Sequence, residues 1–236
     1  MKIALIGYGK MGKEIEAAAR DRGYTIGKVF EIDAPVRADA LAEIDLCIDF
    51  STPEAVVSNI RAAIDAKRDI VVGTTGWYQH LPDFQDRVKE SGLLYSSNFS
   101  LGMNYFFRIV KRAAELMNGA PQYDPYVHEV HHRQKVDSPS GSALTLAKIL
   151  LDAIERKSEI LAKSPDGKIS PEALHVTSTR VGVVTGTHTV AFDSEADLIE
   201  LTHVAKNRRG FALGAVKAAE WLHGRKGIYT MDDVEL

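Results

Sequence analysis

Apolar positions along this chain follow two periods, and the switches between them mark its elements. Residues 2–6 are a short apolar run that stops at Gly7-Tyr8-Gly9-Lys10-Met11-Gly12. The KEIEAAARDRG segment behind it has helical spacing and is closed by Gly23. TIGKVF, residues 25–30, is a second apolar run, with Glu31 directly after it. The phrase then repeats. Residues 45–50 read as a third strand, Pro53 opens a helix to about residue 66 with Thr52 or Ser51 as its cap, and residues 69–72 read as a fourth strand. A helix over 81–91 and a fifth strand over 93–95 close this part. Strands that alternate with helices predict a parallel, doubly wound sheet.

After Asn98 the pattern changes. Residues 102–117 predict one amphipathic helix, 126–132 a strand and 145–154 a second helix. Residues 157–172, polar with two prolines, predict a surface loop. Three strand-like runs follow at 174–181, 185–192 and 197–203, the last two joined by a hairpin-type DSEAD connection. An amphipathic helix over 211–223 packs back on the first part. The expected fold class is therefore α/β: an N-terminal Rossmann-type doubly wound sheet, then an α+β domain with a mixed sheet. The domains are expected at 1–102 with 209–236, and at 103–208.

Strand, GxGxxG, helix, strand and acid in that order form a dinucleotide-binding fingerprint. Gly7 permits the tight turn, Gly9 lets backbone approach a pyrophosphate, and Gly12 allows close packing of helix on strand. Glu31 stands about 20 residues on, where a carboxylate bonds ribose hydroxyls. Ile32 rather than arginine follows it, which favours NADH over NADPH, although Lys10 and Lys13 could compensate a phosphate. Ligands bind at strand C-terminal ends in such sheets, so the loops at 49–52, 73–76 and 96–100 are expected to ring one cleft.

The densest chemistry is YVHEVHHRQKVDSPSGSA, residues 126–143. It holds His128, His131, His132, Lys135, Glu129 and Asp137, followed by a Ser-Pro-Ser-Gly-Ser turn. Histidine is the commonest general acid near neutral pH, and a lysine can anchor an anion or donate a proton. SALTLAKILLDAI starts a helix there, with Ser140 or Ser142 as cap, and its free N–H groups suit a carboxylate or phosphate. The competing readings are a satisfied structural cluster or a metal site. Adjacent His131 and His132 would point to opposite faces of a strand, and the chain has no CxxC or HExxH pattern, so no metal is expected.

Composition excludes little else. Charged residues are 26% and the formal net charge is −3, so neither nucleic acid nor an anionic membrane is an expected partner. The single cysteine, Cys47, lies in DLCIDF and is expected to be buried. No leader-like segment follows Met1 and no apolar run approaches the roughly 18 residues of a membrane span, so a soluble, cytoplasmic protein is expected.

EVHHRQKVDSPSGSA follows the signature E-x-H-H-x-x-K-x-D-x-P-S-G-T-A, and GYGKMG, DFSTPE, GTTGW and SSNFSLGMN match further blocks in order. So do RVGVVTGTHTVAF, ELTHVAKNR and FALGAVKAAEWL. The whole chain resembles the dihydrodipicolinate (4-hydroxy-tetrahydrodipicolinate) reductases of bacterial lysine and diaminopimelate synthesis. The resemblance implies hydride transfer from NADH or NADPH to a cyclic dicarboxylate, with His131 as acid/base and Lys135 as proton donor or carboxylate anchor. It implies that His132 contacts one substrate carboxylate and that Gly141 and Ser142 hold the other. It places the cofactor on Gly7, Tyr8, Gly9, Lys10, Met11 and Gly12, on Glu31, on Asp49, Phe50 and Ser51, on Gly73, Thr74 and Thr75, and on Ser97, Asn98 and Phe99. It also implies a homotetramer built through the second domain's sheet. Here the glycine loop is one residue shorter than in many members, and Ser142 replaces the usual threonine. Two rivals remain: a Rossmann regulator that senses NAD(H) without turnover, and an aspartate or homoserine dehydrogenase relative lacking the HHRQK turn.

Overall fold

A computed structural model describes residues 1–32, 34–163 and 166–235. It divides into two compact units, Met1–Leu101 with Arg208–Leu236, and Gly102–Asn207.

The first unit is built on six parallel strands. They are β1 (Lys2–Ile6), β2 (Thr25–Phe30), β3 (Leu46–Asp49), β4 (Asp69–Val72), β5 (Gly92–Tyr95) and β11 (Gly227–Thr230), in the order β11-β5-β4-β3-β1-β2. Helices α1 (Lys10–Asp21) and α2 (Pro53–Asp65) connect strands, and α5 (Arg209–Leu222) precedes β11. Because both sheet faces are covered, the strands are apolar throughout. Ile3 and Leu5 pack with Ile15, Ala19, Ala215 and Ala219, whereas Ala4 and Ile6 pack with Val56, Ile60, Trp77 and Phe84. Each such buried Leu, Ile or Phe stabilises by about 1.5–3 kcal/mol. Cys47 is fully buried in β3, as expected, and burial pushes its thiol up to about 12. Asp69 ties the far edge together, accepting from Gly92 N at 2.8 Å and Gly224 N at 2.9 Å.

Two elements differ from the sequence reading. The expected helix over 81–91 is a 3-10 helix, Tyr78–Phe84, followed by turns. Pro82 lies inside it and contributes no N–H, and buried Trp77 and Phe84 fix the coil at both ends. The sixth strand β11 had no sequence signal; four half-buried residues suffice because β5 supplies a parallel edge.

The second unit holds a five-stranded mixed sheet ordered β10-β9-β6-β8-β7. Its strands are β6 (Asp124–His131), β7 (Glu159–Leu161), β8 (Ala173–Arg180), β9 (Thr187–Asp193) and β10 (Leu198–Val204). Helices α3 (Leu101–Asn118) and α4 (Gly141–Ala153) cover one face, where Met103, Phe106, Val110, Leu146 and Leu150 meet Val127, Val176, Val190 and Phe192. Tyr126, His128, Thr177, Thr189 and Thr202 line the opposite face, which no helix covers among the described residues. The segment expected as a loop over 157–172 contains β7. Lys157, 4% exposed, donates to the carbonyls of Pro171 (2.8 Å) and Ala173 (2.9 Å), drawing the segment's ends together so that β7 pairs with β8. Among the described residues no helix is long and apolar enough to cross a membrane.

Candidate active site

In the first unit the strand C-terminal ends form a cleft of about 630 Å³. Gly7, Tyr8, Gly9, Glu31, Phe50 and Ser51, all expected at a cofactor, line it. Gly7 has φ +85°, and a Cβ there would overlap the Phe50 carbonyl; one on Gly12 would overlap the Gly7 carbonyl. The glycines therefore let three backbone segments meet at the start of α1, whose first turn carries no acid. Tyr8 donates its hydroxyl to Glu16, whose other oxygen accepts from Arg20 at 2.9 Å. Thus the chemistry of the cleft fits a dinucleotide: a glycine cradle, a helix N-terminus and a carboxylate, Glu31.

Other expected residues sit below or beside this surface. Asp49 is fully buried and accepts from Ser51 N (3.0 Å), Ser51 Oγ (2.8 Å), Thr74 Oγ1 (2.7 Å) and Asn59 Nδ2 (2.8 Å). Burial pushes its carboxyl up against these bonds, which act in the opposite sense. Asp49 thus knits the loops after β3 and β4. Gly73 lies under the Phe50 ring, and Phe99, 2% exposed, tilts against Phe50 with centroids 5.7 Å apart. Asn98 folds its own turn, exchanging backbone bonds with Ser96 Oγ and accepting from Ser100 N at 2.9 Å. Lys10, Thr75 and Ser97 are exposed, Met11 is half-buried and Gly12 is buried. Thr52 is the N-cap of α2 without a side-chain cap bond, and the Ser51 hydroxyl turns to Asp49. Asn59 escaped the sequence reading. Its signal was a polar residue on the apolar stripe Val56, Ile60, Ala63 of α2.

In the second unit, β6 carries Glu129 and His131 inward toward α4. Glu129 is fully buried, and its Oε1 accepts from Ser140 N, Ser178 Oγ and Arg180 Nη2, each at 2.8 Å. Its Oε2 faces His131 Nδ1 at 3.0 Å and His188 Nε2 at 3.7 Å. The His131 contact has the length of an ion pair without the alignment of a finished hydrogen bond. Burial would raise the Glu129 carboxyl, but the close His131 ring and the bonds from Ser140, Arg180 and Ser178 outweigh it and hold the group far below the usual carboxylate range. The His131 and His188 rings meet edge to face, 5.1 Å apart. Burial, then the neighbouring His131 charge, pushes His188 down to about 4.

The loop beyond β6 brings up the cations. Lys135 Nζ lies 2.8 Å from Asp137 Oδ1, and the Asp137 carbonyl accepts from Arg180 Nη2 at 2.6 Å. Partial burial raises the Asp137 carboxyl, but bonds from Lys135 and the Gly141 N–H leave it below its ordinary value. Ser140, not Ser142, caps α4, accepting from Ala143 N at 3.2 Å. Gly141, exposed, and Ser142, half-buried, open this helix, and half-buried His132 directly follows β6. Val181 N donates to the His131 carbonyl (2.9 Å) and Arg133 N to the Gly182 carbonyl (3.3 Å), binding the β6 and β8 exits together. Ser178, Arg180 and His188 were not singled out as site residues. Register reveals them, because Glu129 lies opposite Ser178 on β8 and His188 on β9.

Glu129, His131 and His188 also offer a carboxylate oxygen and two ring nitrogens within 4.8 Å, a donor set of the kind that holds a cation. The Arg180 guanidinium on the same carboxylate already balances its charge, so a dication there would face an uncompensated positive neighbour.

The first unit's fold is that of Rossmann-type nucleotide-binding domains, and the second unit is an α+β domain with a mixed sheet. The family model described as "Dihydrodipicolinate reductase, N-terminus" matches residues 1–99, and "Dihydrodipicolinate reductase, C-terminus" matches 102–234. A 4-hydroxy-tetrahydrodipicolinate reductase of Christiangramia forsetii is 42% identical over 99% of this chain and 97% of its own length. One from Neisseria meningitidis serogroup B is 34% identical over 93% and 83%. A dipicolinate-bound dihydrodipicolinate reductase from Paenisporosarcina sp. TG-14 shares the fold with a TM-score of 0.80, at 20% identity over the whole of both chains. The chain belongs to the dihydrodipicolinate reductase family, an oxidoreductase family.

Proposed function

We propose that this chain reduces 4-hydroxy-tetrahydrodipicolinate to tetrahydrodipicolinate, a step toward lysine and diaminopimelate. The observation that carries this reading is the His131–Lys135–Gly141 loop, which presents an imidazole, an ammonium and a helix N-terminus in 11 residues matching the family signature. Bound NAD(P)H supplies the hydride to a ring carbon of the unsaturated intermediate formed by water loss.

The chain's own residues then have these roles. His131 or Lys135 delivers the matching proton. Lys135 and His132 hold one substrate carboxylate by charge, and Gly141 with Ser142 holds the other by backbone and hydroxyl donors. Residues 1–102 with 209–236 bind the cofactor on Gly7–Gly12, Glu31 and the loops at Asp49–Ser51, Gly73–Thr75 and Ser97–Phe99. Tyr8, Gly9, Glu31 and Ser51 on one cleft support this. NADH is the favoured donor, because Glu31 lines the cleft beside Ile32, with no lysine or arginine in that lining. Residues 103–208 bind substrate and assemble a homotetramer, with the helix-free sheet face around His128 and Thr189 as the natural contact.

NADH oxidation with the condensation product of pyruvate and aspartate semialdehyde tests the reading. Turnover is expected. Binding of NADH without turnover would instead support the regulator, and turnover with aspartate or homoserine the other dehydrogenase.

A further inference from the structure

Glu129 is held in an unusually one-sided way. Three donors from two elements converge on Oε1: the α4 cap amide of Ser140, and from β8 the Ser178 hydroxyl and the Arg180 guanidinium. The carboxylate cannot rotate without breaking all three, so Oε2 stays aimed at the His131 ring, 3.0 Å from Nδ1. An ionised carboxylate only accepts hydrogen bonds, so the nitrogen that faces it must carry a proton. On the other side of the ring the neighbour is Gly186. A Cβ there would stand 3.0 Å from Nε2 and 3.3 Å from Cδ2, tighter than ordinary contact.

We propose that Glu129 is the positioning residue of the site: it fixes the Nδ1–H tautomer of His131 and so leaves Nε2 as the nitrogen that meets the substrate, with Gly186 keeping that nitrogen uncovered. The inference deepens the proposed function and rests on the role given there to His131. Glu129 does not touch the reacting atoms. It acts through the imidazole, steadying the proton on Nδ1 whenever Nε2 gives up or takes one. The Nδ1···Oε2 contact is at hydrogen-bond length but misaligned, and catalytic hydrogen bonds commonly tighten only when the reacting partner engages the other nitrogen. Arg180 keeps the carboxylate charged without competing for Oε2, since its bond goes to Oε1.

The test uses the full chain and two readouts. Ring-nitrogen NMR of the neutral His131, assigned by loss of the signals in His131→Asn, reports the tautomer directly. Steady-state kinetics separates kcat from the KM of NADH. In the wild type the proton is expected on Nδ1. In Glu129→Gln, which keeps the shape and removes the charge, a mixed tautomer is expected, with kcat down about 10- to 100-fold and the NADH KM within about twofold. In Gly186→Ala the Nδ1–H signal should persist while kcat/KM for the dicarboxylate falls, because the methyl covers Nε2. A wild-type ring carrying its proton on Nε2 would overturn the proposal without any variant. So would a Glu129→Gln protein that melts earlier but keeps the wild-type tautomer and kcat, leaving Glu129 a structural anchor. If the tautomer shifts as expected but the wild type itself never oxidises NADH with the dicarboxylate, the positioning stands and the functional reading fails.

Discussion

Lys135 Nζ stands 2.8 Å from Asp137 Oδ1, an ion pair at the mouth of the loop, with the Asp137 side chain 55% exposed. The Asp137 carboxylate also accepts from the Gly141 N–H. Lys135 and the Gly141 amide are given above to the two substrate carboxylates, one each, so Asp137 competes with the substrate for a donor of both. Exposed pairs contribute about 0–1 kcal/mol, so the exchange is easy. Asp137→Asn should therefore lower the KM of the dicarboxylate by about two- to fivefold, with kcat little changed, in initial-rate measurements.

Cofactor choice follows from the cleft. Ile32 is 83% exposed beside Glu31, at the position where an arginine would meet a 2′-phosphate. The KM for NADH should be below that for NADPH, and Ile32→Arg should shift the ratio toward NADPH by about tenfold, one charge-assisted contact being worth roughly 1.5 kcal/mol. Paired KM determinations with both nucleotides check this.

Asp49 is an acceptor to four donors. Asp49→Asn turns one of its oxygens into an N–H2, which then opposes another donor in a buried place. A loss of about 1–3 kcal/mol is expected, with a lower melting temperature and weaker NADH binding, since the loops after β3 and β4 lose their tie. Thermal melts with and without NADH report both effects.

Acid stability follows from His188. Its folded value of about 4 lies below the ordinary 6.5, because burial disfavours the charged ring. As pH falls below about 6.5 the unfolded chain takes up this proton and the folded chain does not. Stability is therefore whole above that pH and declines until about pH 4, by about 3 kcal/mol at most. His203, also lowered by burial, acts in the same sense. Urea midpoints between pH 7.5 and 4.5 should fall less steeply in His188→Gln than in the wild type.

Much of this was legible because the signals are local. The glycine loop, Glu31 and the strand–helix alternation lie within 31 residues, and the spacing of the 126–143 segment is short-range. The Glu129 cluster was not legible, because its members are drawn from β6, β8 and β9 by sheet register; Arg180 lies 51 residues from Glu129. A carboxylate at an inward position between Val127 and His131 was the visible clue that a buried charge needed partners. The mistaken helix over 81–91 shows the converse limit: its apolar spacing was real, but Pro82 and the burial of Trp77 and Phe84 favoured a tighter coil. β7 and β11 are short and take their pairing from neighbours rather than from their own residues.

The account depends most on the chemistry assigned to the loop after β6. Single-turnover NADH oxidation with the dicarboxylate, compared among wild type, His131→Ala and Lys135→Ala, measures that chemistry apart from product release. A loss of about 10²–10⁴-fold in each variant, with NADH affinity kept, is the expected result. Full turnover in both variants would contradict the account and place the proton delivery elsewhere in the protein.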